Sequence, residues 1–300
     1  MKLVHNFSLI QPDYLIAMQR EVICADACEW LQDKFTRNEL FCGSVFTSLP
    51  DISEISHLFA GSADTAERVQ RYEEWFTHQA FVIMSLLAPD EYVIFLQSDA
   101  RIQNPSDGRI LKWLDKSFLC SKAAEQSNCR MMWHKLVHYG DINSRSAGRP
   151  AYSHLLCYSK VASYDSGQFF IPDIFHRGDM IWTKGIGLQS AFAGVAFLKF
   201  VAKTTKIIDP FCGYGTVLAM SNCFQVDSLG VEISAKRCRK ARSLDLSIAL
   251  SKLTRTEMSM LGAPKSFSFS QSLDHVNDSE VTLDVSDDEI NVVTADAPQT

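Results

Sequence analysis

A chain of 300 residues with 46% hydrophobic and 11% aromatic side chains can bury one substantial core, so one domain, with or without a tail, is expected. No apolar run reaches membrane-span length and the opening MKLVHNFSLIQPDY is too polar for a secretory signal, so neither a membrane nor an exported protein is expected. The net charge of −6 lies in residues 251–300, where three basic side chains face nine acidic ones; the neutral remainder argues against a broad electrostatic grip on duplex DNA, though not against a local basic stripe.

In chain order, EVICAD (21–26) is a short apolar run ending in an acid, and ACEWLQDKF after it has helical spacing. GSVFTSLPD (43–51) reads as a second strand that breaks at Pro50. SADTAERVQRYEEWFTHQAFVIMSLLA (62–88) predicts a long helix stopped by Pro89, followed by a buried strand EYVIFLQSD (91–99). A helix over about 109–120, a strand CRMMWHKLVHY (129–139), a polar loop and a strand YSHLLCYSK (152–160) come next. GLQSAFAGVAFLKFVA (187–202) is a helix that feeds the strand KIID, and LGVEIS (229–234) is a further strand one crossover later. Strands alternating with helices predict an α/β fold with a mostly parallel sheet. The Ser- and Asp-rich end predicts a disordered acidic tail over 251–300, leaving 1–250 as the folded domain; no internal repeat is present. Nine cysteines, an odd number without CxxC or metal-type spacing, fit reduced thiols in the cytosol or nucleus and no metal centre.

The chemistry concentrates at IIDPFCGYGT (207–216). In an open parallel sheet, ligands sit beyond the carboxyl ends of strands, beside a glycine-rich strand-to-helix turn. Asp209 stands at such an end, Gly213 and Gly215 let the backbone approach a ligand, and Thr216 opens the next helix. Glu232 ends the following strand, where a ribose diol would be received. There is no GK[ST] phosphate cradle, and Leu218 replaces the third glycine of the dinucleotide fingerprint, which disfavours a pyrophosphate ligand and an NAD-type oxidoreductase. A nucleoside with a positively charged amino-acid arm fits better.

DPFCGYGT followed by LGVEIS resembles motifs I and II of S-adenosylmethionine (SAM)-dependent methyltransferases, in the form typical of enzymes that methylate amino groups of DNA or RNA. The order of the remaining segments is similar to the permuted subclass of that family, in which the catalytic half precedes the cofactor half. The likeness spans about residues 20–245 and implies a Rossmann-like class I methyltransferase fold in circularly permuted order. It implies that Asp209, Phe211, Cys212, Gly213, Gly215, Thr216 and Glu232 hold SAM. ICADACEWL would bring Asp26 to the adenine amine, and Lys184 in IWTKGIGLQSAF, or nearby amides, would hold the methionine carboxylate.

VFTSLPD occupies the place of the family's catalytic (D/N/S)PPY loop, which makes Ser48, Pro50 and Asp51 the candidate catalytic residues. Leu49 replaces a proline and Asp51 replaces the aromatic that stacks on an extruded base in the parent motif. Ser48 can still accept a hydrogen bond. Two roles are open for Asp51: a general base for a ring N–H proton, or the N-cap of a capping box with Glu54. Cys212 is not expected to be a covalent nucleophile, and His134, His138 and His154 are expected to be packed or solvent-facing within strands. KRCRKAR (236–242) reads mainly as a solvated helix face, with an RNA-contacting stripe as the sharper alternative. Residues 161–176 alone separate the catalytic half from the segment before motif I, too few for the recognition domain of DNA-methylating relatives. The expected function is therefore SAM-dependent methylation of a nitrogen on a base, with structured or single-stranded RNA as partner and a protein partner for presentation an open possibility. The alternative is a SAM-binding pseudoenzyme that serves as an interaction subunit.

Overall fold

Short apolar runs become strands here, and eight of them pair into one sheet in the computed structural model, which describes residues 18–62, 64–104, 106–144 and 149–269. The strands are β1 (Arg20–Cys24), β2 (Ser44–Thr47), β3 (Tyr92–Gln97), β6 (Arg130–His138), β7 (Tyr152–Ser159), β8 (Ile174–His176), β9 (Lys206–Asp209) and β10 (Asp227–Glu232). A separate hairpin is formed by β4 (Ala100–Gln103) and β5 (Ile110–Leu114). The order in the sheet is β1-β10-β9-β2-β3-β7-β6-β8. All pairings are parallel except those of β7, which runs antiparallel to both β3 and β6. The expected α/β fold with a mostly parallel sheet is the one observed, with β7 as the exception.

Helices supply the crossovers that parallel strands require. α1 (Ala27–Thr36) joins β1 to β2, α2 (Thr65–Leu86) joins β2 to β3, and α5 (Thr216–Cys223) joins β9 to β10. Asp64 caps α2 by accepting from the Glu67 amide, and Val69, Tyr72, Phe76, Ala80 and Ile83 form its buried stripe. That stripe, with α1 and α3 (Lys116–Gln126), covers one face of the sheet over Val45, Val93, Phe95, Leu156 and Tyr158. On the other face α4 (Leu188–Ala196) continues through a wider helical turn, Phe197–Val201. Phe197 takes edge-to-face contacts there from Tyr92, Trp133 and Phe169.

Two segments depart from the sequence reading. The helix expected over about 109–120 is a strand until Leu114, because Ile110–Leu114 pairs with Ala100–Gln103 across a turn closed by Asn104 and Arg109. The helix α3 starts only where Asp115 accepts from the Phe118 amide at 2.9 Å. The short edge strand β8 has no counterpart in the sequence reading, since three residues are too few for a periodic signal.

The folded unit also runs past the boundary expected at 250. After α6 (Ala235–Ser243) come α7 (Ser247–Leu250) and α8 (Arg255–Met260), the latter held by a capping box between Thr254 and Glu257. Phe267 then stacks on Phe224 at 4.7 Å, and Leu261 and Ala263 are buried. The compact unit ends at Phe267, and the acidic tail from 270 onward lies outside the described residues. Stopping the chain after residue 250 is therefore expected to cost about 2–4 kcal/mol through the lost apolar packing, read as a lower urea midpoint. An unchanged midpoint would show that residues 251–267 do not hold the domain. Among the described residues no helix is long and apolar enough to cross a membrane.

Candidate functional site

Because β1, β2, β9 and β10 are mutually parallel, their carboxyl ends meet along one edge, and there they enclose a cavity of about 240 Å3. Its walls include Asp26 after β1, Ser48, Leu49 and Pro50 after β2, the turn after β9, and Glu232. The sequence-expected Lys184, Asp209, Phe211, Cys212, Gly213 and Thr216 line the same cavity. Gly215 and Asp51 do not.

Two glycines of the turn serve different ends. Gly213 has φ +54°, and a Cβ there would lie 3.1 Å from the Trp182 ring on the cavity wall. Gly215 has φ +82°, and a Cβ there would lie 2.9 Å from the Ala241 backbone. Gly215 therefore lets α5 pack on α6 and does not line the cavity, which corrects the reading of both missing side chains as making room for a ligand.

Asp209 is 3% exposed, and its Oδ1 accepts from the Thr47 hydroxyl at 2.6 Å and the Phe211 amide at 3.1 Å. Burial pushes its carboxyl up to about 7 in spite of those two bonds, and the nearby Glu232 carboxylate adds to the rise. Glu232 Oε1 accepts from the Ser234 amide at 2.8 Å, with the Arg237 guanidinium 3.8 Å away. The Thr216 hydroxyl is buried without any hydrogen-bond partner among the described residues. It stands at the start of α5, whose cap Gly215 offers no side chain to the first amides. Asp26 caps α1 through Oδ1, which accepts from the Cys28 and Glu29 amides at 2.7 and 3.2 Å. Lys184 is half exposed, 3.7 Å from the Glu54 carboxylate. Burial, with Asp209 and Glu232 close by, pushes the Cys212 thiol far above its ordinary range, so it is no ready nucleophile.

The loop after β2 is fixed from behind. Tyr72 donates its hydroxyl hydrogen bond to the Pro50 carbonyl at 2.9 Å, and Leu49 is buried. Ser48 lines the cavity, and no hydrogen bond joins its hydroxyl to the described residues. Asp51 turns away and is held by Lys116 and, at 2.5 Å, by Arg149 Nη1. Burial raises its carboxyl, but Lys116 and Arg149 outweigh that and hold it below the usual carboxylate range. Such a group is a poor base. The capping role also gives way: Glu54 does accept from the Asp51 amide at 2.9 Å, yet turns follow, and a short 3-10 helix starts only at Ser56. Asp51 is an ion-pair anchor.

Lys116, Arg149 and Tyr72 carry no local signal, since their partners lie 65, 98 and 22 residues away in the chain. Trp182 is another unanticipated wall residue; its ring stacks on Tyr214 at 4.8 Å and carries the Arg237 guanidinium 5.2 Å from its centroid. His154 is buried, as expected, with Nε2 3.1 Å from Asp99 and Nδ1 2.9 Å from His134. Within KRCRKAR, Arg237 lines the cavity and Arg242 donates to the Val22 carbonyl at 2.7 Å, while Lys236, Arg239 and Lys240 are exposed.

No protein-family model matches the chain, and a search of curated proteins finds no significant match. Solved structures do resemble it. One is a "Putative DNA Modification Methylase" from Thermus thermophilus in complex with S-adenosyl-L-methionine, with a TM-score of 0.56 and 16% identity over 74% of this chain and 91% of that one. Another is PvuII DNA methyltransferase (cytosine-N4-specific), with a TM-score of 0.52 and 13% identity over 82% of this chain and 94% of that one. At this identity the likeness establishes the fold: an α/β architecture with a mostly parallel mixed sheet, shared with these methyltransferase structures.

Proposed function

We propose that the chain is a SAM-dependent methyltransferase acting on a nitrogen of a nucleic-acid base, with RNA the favoured substrate and the catalytic half placed before the cofactor half. The observation that carries this reading is the cavity's polar lining: the buried Asp209 carboxyl, pushed up to about 7, and the Thr216 hydroxyl, which has no hydrogen-bond partner among the described residues. A ligand with positive charge, a diol and a carboxylate suits that donor and acceptor set. Asp209 would face the positive charge and Glu232 the diol. Thr216, the first amides of α5 and Lys184 would hold the carboxylate, and Asp26 the adenine amine. When bound, SAM supplies an electrophilic methyl group. The chain's part is to align a nucleophile with it, and Ser48 stands at the cavity wall where its hydroxyl can accept from a target N–H.

The resemblance to a cytosine-N4-specific enzyme supports an exocyclic base nitrogen as acceptor. Residues 161–176 add only a 3-10 turn, Ser166–Gln168, and the edge strand β8, which favours a substrate that presents itself by shape over read-out of duplex DNA. The permuted order is supported by β9, which precedes the glycine turn late in the chain yet lies between β10 and β2. A second reading, a SAM-binding interaction subunit, draws on Leu49 being buried and Asp51 being tied up where the resemblance calls for a proline and an aromatic.

Calorimetry should show SAM binding and no NAD binding. Glu232→Ala should weaken SAM by roughly 1.5–3 kcal/mol, the scale of charged hydrogen bonds. Transfer of labelled methyl to RNA from cells lacking the protein tests catalysis. SAM binding without transfer to that RNA or to DNA would leave the interaction subunit as the answer.

A further inference from the structure

The strand ends beyond β3 form a second surface, next to the cavity but outside its walls. Because β6 and β8 run parallel to β3 and β7 runs antiparallel, the ends of β6 and β8 and the start of β7 lie on the same edge as Ser48. Arg149, in the β6–β7 connection, reaches Asp51 directly, so this edge is physically joined to the loop carrying Ser48. Tyr139, just past β6, donates its hydroxyl hydrogen bond to the Pro150 carbonyl at 2.5 Å, one residue from Arg149. The Arg177 guanidinium, just past β8, lies 4.4 Å from the Tyr139 ring centroid. His138 and His176, at the ends of the paired strands β6 and β8, pack edge to face at 5.4 Å. The Tyr152 ring, at the start of β7, is half-buried and meets the His154 ring edge-on at 5.4 Å.

Cations and rings thus alternate along one edge, where Arg149 and His176 are exposed and His138, Tyr139 and Arg177 are half-buried. Strands about 4.8 Å apart make the distance from β2 to β8 about 19 Å, the reach of a few extended nucleotides. The carboxylates that would repel a phosphate chain are largely engaged. Asp99 accepts from the Trp113 indole, the Lys116 amide and His154, and Asp51 is held by Lys116 and Arg149. Asp141 accepts from the Asn143 amide in its own turn, and Asp179 is exposed on the loop beyond Arg177.

We propose that this edge, from Arg149 across Tyr139 and His138 to His176 and Arg177, seats an unpaired RNA segment while the target base enters the cavity beside Ser48. The proposal rests on the reading of the cavity as a methyltransferase site. Guanidinium groups meet the phosphates, and the partly exposed rings, with His176 the most open, offer stacking faces to unstacked bases, which a duplex keeps inside. The His138 Nδ1 is engaged with the Gly140 carbonyl and the His176 Nδ1 with the Gly178 amide, so it is their Nε2 atoms that can bond the ribose 2′-hydroxyl that DNA lacks. The other basic surface, Lys236, Arg239 and Lys240 on α6, packs beside β1 and β10 and is not joined to the Ser48 loop by any of these contacts.

The test is fluorescence anisotropy with a labelled single-stranded RNA oligonucleotide and the full chain. Arg177→Glu, and separately the double variant His138→Ala/His176→Ala, should each weaken binding on the order of tenfold. SAM affinity by calorimetry should be unchanged, which also shows that the variants fold. Arg177→Gln, carrying the smaller change, should weaken binding less and flatten its salt dependence. Duplex DNA and single-stranded DNA should compete poorly. Wild-type affinity in the edge variants, equal competition by duplex DNA, or a loss with Lys240→Glu instead, would each overturn the proposal. If wild-type protein transfers methyl to RNA while the edge variants bind and react normally, the edge assignment fails alone. If RNA binding maps to the edge but SAM never binds, the methyltransferase reading fails.

Discussion

Asp51→Asn is expected to lower the stability of the folded domain by about 3–5 kcal/mol, the cost of leaving a buried charge without its partner. The charge left behind is Lys116, whose side chain is 2% exposed and lies 5.9 Å from the Tyr72 ring and 6.0 Å from the Phe76 ring. Arg149, half exposed, is expected to contribute less. The double variant Asp51→Leu/Lys116→Met should recover most of the loss, because a well-packed apolar pair can replace a buried ion pair. Urea unfolding of the three variants checks this. A catalytic base would give the opposite pattern: normal stability in Asp51→Asn with turnover abolished. The pH dependence has a definite sign. The Asp51 carboxyl is held below its ordinary value in the folded state, so its stabilisation is complete above the unfolded value of about 3.9 and fades as pH falls through the lower, folded value. Removing Asp51 should therefore erase part of the acid-unfolding transition.

Asp209→Asn is expected to stabilise the unliganded protein near pH 8 while weakening SAM binding at least tenfold. The asparagine carbonyl can keep both bonds that now converge on Oδ1, from the Thr47 hydroxyl and the Phe211 amide. What disappears is a carboxyl that burial pushes up to about 7. A carboxyl raised in the folded state contributes fully to stability below its unfolded value near 3.9 and loses that contribution as pH rises through 7. The difference of about three pH units corresponds to a few kcal/mol at most. Melting curves of both proteins at pH 5 and pH 8, without and with SAM, make the comparison. The variant should gain more at pH 8 than at pH 5, and SAM should narrow the gap by restoring the wild type. A variant that is less stable at pH 8 would mean that Asp209 is not a group held ready for a positively charged ligand.

One half of the site is legible in the sequence and the other is hidden. DPFCGYGT and LGVEIS announce a turn and an acid because the residues that make them are neighbours in the chain. The cavity accordingly contains Asp26, Lys184, Asp209, Gly213, Thr216 and Glu232. Gly215 shows the limit of such reasoning: its sequence context resembles that of Gly213, but only the approach of α6 reveals what its missing side chain makes room for. Asp51 shows the same limit for charge. The Glu54 spacing suggests a cap, and half of it forms, but Lys116 and Arg149 arrive from distant elements and decide where the carboxylate points. The apolar run ILKWL reads as part of a helix because short exposed runs carry no reliable period, and only the pairing of β4 with β5 settles it. Strand β7 can be read as a strand but not as antiparallel, since direction is a property of the pairing and not of the residues.

The first strand of the sheet has its partner at the far end of the chain. Among the described residues β1 pairs with β10 alone, Arg20 opposite Ser228, and the Gln19 amide reaches Asp227 across 208 residues of sequence. A ribosome adding about 5–20 residues per second needs roughly 10–40 s to make that stretch. Throughout that interval the emerging chain carries a strand whose hydrogen-bonding edge has nothing native to meet, a template for pairing with other nascent chains. Protein made from the full message should thus depend on holding factors during synthesis more than its finished stability suggests, and a chain stalled before residue 227 should be the species that aggregates.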